Sequence, residues 1–301
     1  MRVKVLWEVV RDAGDAWLDD RAPRIGAAIA FFTTLSLAPL LVISLVFAGL
    51  VYGKGAARGE VADQLAGFVG AEAAKTIEGV IATSRDPRSG AVAVAVSLVA
   101  LFVGATGVFV ELQEALNDVW KVRPRPGRRV RTFVRGRLLS FGLAVGIGVL
   151  LLASLVLGTA LDAVGRYSAG RVAGSAAALQ AANLFLPFAF EVFLVGMIFK
   201  VLPDADLAWR DVWTGAALTA VLFNLGKYLV GLYLGYSGVT SAFGAAGSLM
   251  AFLVWIYFSA LVLVFGAEVA KVTAARSGRS IPPAANAEVI PGATTSVSGT
   301  G

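Results

Sequence analysis

Ionisable residues inside long apolar runs are the chemical feature of the sequence that says most about function. Glu191, Lys227 and Glu268 each lie within such a run. A charged side chain at the centre of a bilayer costs about 2.5 to 3.5 kcal/mol, so such residues usually face a cavity or an oppositely charged partner. We therefore treat these three side chains as candidates to contact a substrate or a coupling ion.

Glu191 and Lys227 come within reach of each other if the runs that hold them are antiparallel helices. Their axial offset is then roughly 9 Å at a rise of 1.5 Å per residue, and a lysine stem can close most of that distance. An ion-coupled site and a purely structural ion pair both agree with this arrangement. Glu268 lies near the end of its run, which favours a carboxylate that reaches interfacial water or basic neighbours.

Amide side chains extend this candidate polar site inside the membrane to Asn224 and Asn117. They can line a polar path or join helices by hydrogen bonds, and the second role is the commoner one.

Enzyme chemistry is poorly represented. The chain has no cysteine and no histidine, the residues most used as nucleophiles, general bases and zinc ligands. It also has no glycine-rich phosphate loop with a lysine and no serine nucleophile elbow. We expect no catalytic site, no metal site and no cofactor.

The elements that must position these residues are predicted by hydropathy. Hydrophobic residues make up 57% of the chain and charged residues 15%, which is typical of a membrane protein. Six apolar runs are each long enough to cross a hydrocarbon core. They cover residues 25–51, 91–116, 138–161, 180–201, 212–235 and 245–271. The predicted fold is an all-α membrane protein, a bundle of six transmembrane helices with amphipathic interfacial helices.

Charge distribution sets the predicted orientation. Lys and Arg collect in segments that share a side with both termini, above all between residues 118 and 137. The positive-inside rule therefore places both termini in the cytoplasm and the chain in the inner membrane. Anionic lipid headgroups at the cytoplasmic face are the expected partners of these basic residues. Nucleic acid is not expected, and oligomeric state stays open.

Three regions follow from these patterns. Residues 1–24 form a cytoplasmic segment whose stripe of Leu6, Val10, Ala13 and Trp17 predicts a helix on the membrane surface. Residues 25–275 form the transmembrane domain, which includes an amphipathic external segment at 53–90. Residues 276–301, rich in small and polar residues, are predicted to be a disordered cytoplasmic tail.

Four segments together resemble the YihY/BrkB family of integral membrane proteins, formerly mislabelled ribonuclease BN. They are AAIAFFTTLSLAPLL from Ala27, ELQEALNDVW from Glu111, KVLPDADLAWRDVWTGAALTAVLFNLGKYLVGLYL from Lys200 and FGAAGSLMAFLVWIYFSALVLVFGAEVAK from Phe243. The resemblance implies a six-helix inner-membrane protein without a settled activity, in a family suspected of transport. A ribonuclease metal site would need histidine, which this chain lacks.

The residues that match the family pattern are carried over as family positions, without an assigned role. They are Pro39, Asn117, Trp120, Pro203, Gly215, Tyr233, Gly247, Trp255, Gly266 and Glu268.

Two functions agree with these observations. The first is a transporter or permease with an unknown ligand, whose cavity includes the candidate polar site. The second is an envelope scaffold or assembly factor that does not transport and binds lipid or protein partners.

Overall fold

The computed structural model describes residues 2–36, 87–125, 175–237 and 239–290, which are mostly helical. The helices are α1 (Arg2–Asp19), α2 (residues 22–36), α3 (Pro87–Val119), α4 (Ser175–Val201), α5 (Trp209–Ser237) and α6 (Val239–Arg276). Two short strands, β1 (Val122–Pro124) and β2 (Ala287–Val289), pair antiparallel.

The predicted apolar runs correspond to helices wherever the structure describes them. The runs at 91–116, 180–201, 212–235 and 245–271 lie within α3, α4, α5 and α6. The run at 25–51 is helical through residue 36; the rest of it, the run at 138–161 and most of the segment at 53–90 lie outside the described residues. Among the described residues, Met250–Arg276 is long and apolar enough to cross a membrane. The count of six spans stays a prediction.

Local hydrogen bonds explain where α5 begins and where α6 ends. At the start of α5, the Ala208 backbone N–H donates to Asp211 Oδ2 at 3.0 Å, so the side chain in the first turn satisfies an otherwise unpaired donor. At the end of α6, Gly278 has a φ of 70°. The Arg279 N–H donates to the Ala274 carbonyl in the arrangement of a Schellman motif, for which glycine is the preferred residue.

Helix α1 packs against α6 through one narrow face. Val9 and Ala13 are buried together with Val269 and Val272. The prediction of a helix in this segment is confirmed. Ala13 lies on the buried face as expected, but the second buried residue is Val9 and not Val10. The reason is that the neighbour of this face is another helix, which selects a different stripe from the one a flat membrane surface would select.

The prediction of disorder from residue 276 onward is wrong up to residue 290. Strand β2 pairs with β1, and Arg123 Nε donates to Glu288 Oε1 at 2.9 Å. A further bridge joins Ala205 to Pro283. Small and polar residues cannot form a core of their own, but backbone pairing with a distant segment satisfies their amide groups. Residues 291–301 lie outside the described part.

The chain divides into two compact units. The first contains residues 1–22, 113–223 and 262–301, and the second contains residues 23–112 and 224–261. In the first unit, α5 and α6 cross closely at Gly215 and Gly266, each of which lacks room for a Cβ atom. In the second unit, Gly226 of α5 lies against the Phe258 ring of α6, and Gly107 of α3 lies against Phe32 of α2. Small residues therefore bring the helices together in both units.

Candidate functional site

The most deeply buried charged residue of the described chain is Glu268, which lies in the C-terminal part of α6. Its relative exposure is 0%. One turn further along the helix, Lys271 Nζ donates to Glu268 Oε2 at 3.0 Å. The lysine is a quarter exposed and lies nearer solvent. A buried carboxylate is therefore held from one side by its own helix.

Asp20 supplies a second buried carboxyl group, immediately after α1. Its side chain is 10% exposed, and Oδ1 accepts a hydrogen bond from Lys121 Nζ. Lys121 follows the end of α3 and has a φ of 53°. This left-handed residue ends the helix before β1 begins. An ion pair thus joins two segments that lie 101 positions apart in the sequence.

The two carboxyl groups meet each other. The Glu268 side chain lies within hydrogen-bonding reach of the Asp20 side chain. Each has one oxygen occupied by a lysine, while Asp20 Oδ2 and Glu268 Oε1 are buried and receive no hydrogen bond from the residues that the structure describes. We name Asp20, Lys121, Glu268 and Lys271 the carboxyl cluster. Its two free oxygens are both acceptors, so each of them needs a donor or a cation.

Asp118 lies at the edge of the carboxyl cluster. Part of the residue is exposed to solvent. Partial burial of its carboxyl group, and then the nearby Asp20 carboxylate, raise the pKa of Asp118, while Lys121 lowers it. Two residues further along the chain, the Trp120 side chain is buried, and its Nε1 has no hydrogen-bond partner in the described part of the chain. Asp118 therefore adds negative potential close to Asp20.

A separate polar cluster forms around Asp204, between α4 and α5. Asp204 Oδ2 accepts from Asn117 Nδ2 at 3.0 Å, and Oδ1 accepts from Asn286 Nδ2 at 3.0 Å. In return, the Asp204 backbone N–H donates to Asn117 Oδ1 at 2.7 Å. Every one of these groups is satisfied, so this cluster fastens α3, the α4–α5 loop and the segment before β2 to one another.

The residues that the sequence analysis grouped as one polar site differ in their burial and in their contacts. Glu191 is half-buried in the first unit, whereas Lys227 is exposed in the second unit and donates to Asn224 Oδ1 at 3.4 Å. Asn117 contacts Asp204. The predicted Glu191–Lys227 pair stays a prediction, and Glu268 is the predicted site residue that the structure places in a buried charged cluster.

Several family positions have a visible packing role. Gly215 and Gly266 allow the close crossing of α5 and α6, while Asn117 holds Asp204. Trp120 and Pro203 are buried, and Trp255 packs near Phe258 with ring centroids 6.2 Å apart. Pro39 lies outside the described residues, and Tyr233 and Gly247 are described only as parts of α5 and α6.

The sequence analysis missed Asp20, Lys121 and Lys271 as partners of Glu268. All three lie near ends of apolar runs, where charged residues are ordinary. The signal available was that Glu268 has a lysine three positions ahead, which is the spacing of neighbours on a helix face. In the described part of the chain, no three acidic, histidine or cysteine side chains gather as a metal site would require.

Comparison with known proteins identifies the family. The family model described as "Virulence factor BrkB" matches residues 13–291. The chain belongs to the BrkB family. This is a family of membrane proteins, and the resemblance seen in the sequence is confirmed.

Curated relatives of this BrkB-family chain carry the name UPF0761 membrane protein. One from Ralstonia nicotianae is 29% identical over 257 residues, which cover 84% of this chain and 55% of that protein. One from Pseudomonas aeruginosa is 26% identical over 272 residues, which cover 86% of this chain and 61% of that protein. The chain thus spans little more than half the length of these relatives. No solved structure matches it.

Proposed function

We propose that this BrkB-family protein is a permease of the inner membrane, with both termini in the cytoplasm, and that the carboxyl cluster holds its substrate or coupling ion. The observation that carries the proposal is Glu268, a fully buried carboxylate within the stretch Met250–Arg276, which is long and apolar enough to cross a membrane. Ionisable residues at such positions usually mark the path of a substrate or an ion.

The energetics of the carboxyl cluster favour a functional role over a stabilising one. Buried ion pairs recover little more than their own cost of desolvation, so they contribute little net stability. Here the Glu268–Lys271 and Asp20–Lys121 pairs leave one acceptor oxygen free on each carboxyl group. A purely structural cluster would gain from satisfying those oxygens, as the Asp204 cluster does.

A flux assay tests the proposal. The full chain is reconstituted in sealed vesicles that contain a pH-sensitive dye, and a pH gradient is imposed while amino acids, organic acids or inorganic cations are added in turn. We expect one solute class to dissipate the gradient, and Glu268→Gln to abolish that flux. Glu288→Gln is the matched control, because Glu288 pairs with Arg123 at the surface, away from the carboxyl cluster. Equal flux in the Glu268→Gln and Glu288→Gln vesicles would contradict the proposal.

An envelope scaffold is the second candidate, favoured by the outward face of α1. Trp7 is 68% exposed and Leu18 61% exposed, and the basic residues Lys4 and Arg11 are exposed as well. At 100° per residue these four share one side of the helix, opposite Val9 and Ala13. Apolar and basic residues on one face suit an anionic membrane surface.

The scaffold candidate makes a different prediction. If no solute dissipates the gradient, while the purified chain retains phosphatidylglycerol and the double variant Lys4→Gln, Arg11→Gln loses it, the scaffold replaces the permease. Native mass spectrometry of the detergent-purified chain measures the retained lipid.

A further inference from the structure

The carboxyl cluster contains two buried oxygen atoms that the described chain does not satisfy. Asp20 Oδ2 and Glu268 Oε1 belong to carboxyl groups that lie within hydrogen-bonding reach of each other. Two carboxylates in one buried site repel each other unless a proton or a cation lies between them. Their outer oxygens, Asp20 Oδ1 and Glu268 Oε2, are already taken by Lys121 and Lys271.

We propose that Asp20 and Glu268 bind one exchangeable proton, shared between Asp20 Oδ2 and Glu268 Oε1. The proton comes from water and returns to it, and no other bond forms or breaks. The inference deepens the site proposed above, because a shared proton is a candidate coupling ion. Its test requires no transport, so the two proposals can fail separately.

Hydrogen-bond accounting favours a proton over a metal cation. A proton needs two acceptors, and the site offers two. Hard cations such as Mg²⁺ or Ca²⁺ take about six or more oxygen ligands, and the described residues gather no larger acidic group here. Since the two lysines already balance the two carboxylates, a divalent cation would leave two positive charges in the cluster where a proton leaves one.

The charges around the site are compatible with this occupancy. Asp20 and Glu268 face Lys121 from the segment after α3 and Lys271 from α6, so the cluster is neutral without the proton and carries one positive charge with it. Asp118, which interacts with both Asp20 and Lys121, offsets that charge. The proton therefore enters a site in which its charge is already compensated.

Infrared difference spectroscopy of the purified full chain tests the proposal. We expect a protonated-carboxyl band that is present near neutral pH and lost at alkaline pH. Asp20→Asn and Glu268→Gln should each abolish the band completely, because the new amide donates to the remaining carboxylate and replaces the proton. Glu288→Gln should leave the band unchanged. Asp118→Asn should also retain it, since Asp118 is not one of the two carboxyl groups that share the proton.

Isotope labelling of the unaltered chain provides a test that no folding defect can confuse. Carboxyl-labelled aspartate and carboxyl-labelled glutamate should each shift the same band if the proton is shared. A band that survives in Asp20→Asn, or that shifts with glutamate label alone, would show a Glu268 proton independent of Asp20 and overturn the proposal. Absence of the band, with thermal stabilisation by sodium or potassium ions, would show a metal cation instead.

Discussion

The crossing of α5 and α6 allows a stability prediction to be worked out atom by atom. At Gly215, an added Cβ would lie 2.7 Å from the Cβ of Ala270, 3.1 Å from the Ala270 backbone nitrogen and closer still to the Gly266 carbonyl oxygen. Most of these neighbours are backbone atoms, which no rotamer change can move. The helices would have to separate, and overpacking of this kind costs typically 1–3 kcal/mol.

The predicted effect of Gly215→Ala is the difference between two contributions. We take about 3 kcal/mol for overpacking, the upper end of the range, because rigid backbone must move. Alanine recovers roughly 0.5–1 kcal/mol relative to glycine inside a helix. The net loss in the free energy of unfolding is then about 2 kcal/mol, which shifts the unfolding equilibrium by more than about tenfold.

Gly196→Ala is the matched control. A Cβ there would meet its nearest atom, on the Trp209 ring, at 3.6 Å, which is ordinary van der Waals contact. We therefore expect Gly196→Ala to be neutral or to stabilise by up to about 1 kcal/mol, since only the helix propensity changes. The two variants make the same chemical change in successive helices of one unit, and of the two only Gly215→Ala should lower stability.

Both variants can be measured by titrating the purified chain in mixed micelles with a denaturing detergent and following tryptophan fluorescence. The midpoint for Gly215→Ala should fall and that for Gly196→Ala should hold or rise. Gly266→Ala supplies a further check, because its Cβ would overlap the Thr219 hydroxyl, so adding Thr219→Ala should restore part of the loss. Equal midpoints for Gly215→Ala and Gly196→Ala would refute the steric reasoning.

Three further predictions use the same unfolding assay. Asp204→Ala should cost about 1–3 kcal/mol, because it removes the acceptor of two amide donors, that of the buried Asn117 and that of the half-buried Asn286. The exposed neighbour Asp206→Ala should cost little, and equal losses would contradict this. Arg276→Ala should cost no more than about 1 kcal/mol and less at high salt, since its pairs with Glu8 and Asp12 are partly exposed; a large loss independent of salt would show that it acts otherwise. The raised pKa of Asp118 means that its carboxyl group contributes stability at a pH below the pKa of the unfolded chain, and that this contribution is lost as the pH rises through the folded pKa. Asp118→Asn should therefore flatten the pH profile just above the ordinary aspartate range; an unchanged slope would argue against the raised pKa.

Patterns that are local in sequence predicted the helices. The helix crossings and the strand pairing depend on contacts between distant segments, which local patterns do not contain. Hydropathy placed α3 to α6 because each apolar run carries its own signal. The sequence could indicate that glycines inside apolar runs are packing positions. It could not indicate that Gly215 packs against Gly266, since the two lie on different helices. The strand at Ala287–Val289 could not be predicted, because three residues are too few to show a periodicity and their pairing partner lies far away in the sequence, at Val122–Pro124.

For Glu268, the sequence predicted one of the neighbouring charged residues and missed another. A carboxylate near the end of an apolar run predicts a special environment, and the expectation of basic neighbours agrees with Lys271. The same reasoning gave no reason to choose Asp20, which precedes the first run and is separated from Glu268 by most of the chain. The candidate Glu191–Lys227 pair rested on an assumed antiparallel arrangement and on axial distance alone, without the rotation of either helix about its axis.

Helix α1 determines where one carboxyl group of the carboxyl cluster lies. Val9 and Ala13 fix α1 on the last turns of α6, and α1 ends where Asp20 reaches both Glu268 and Lys121. Packing of an apolar face thus determines where a carboxyl group lies, and that carboxyl group determines what the buried glutamate can bind. Without α1, Glu268 would keep Lys271 as its partner, but the second acceptor would be missing and no proton could be shared. Any movement of α1 relative to α6 would therefore change the occupancy of the carboxyl cluster, so protonation and docking of α1 are thermodynamically linked.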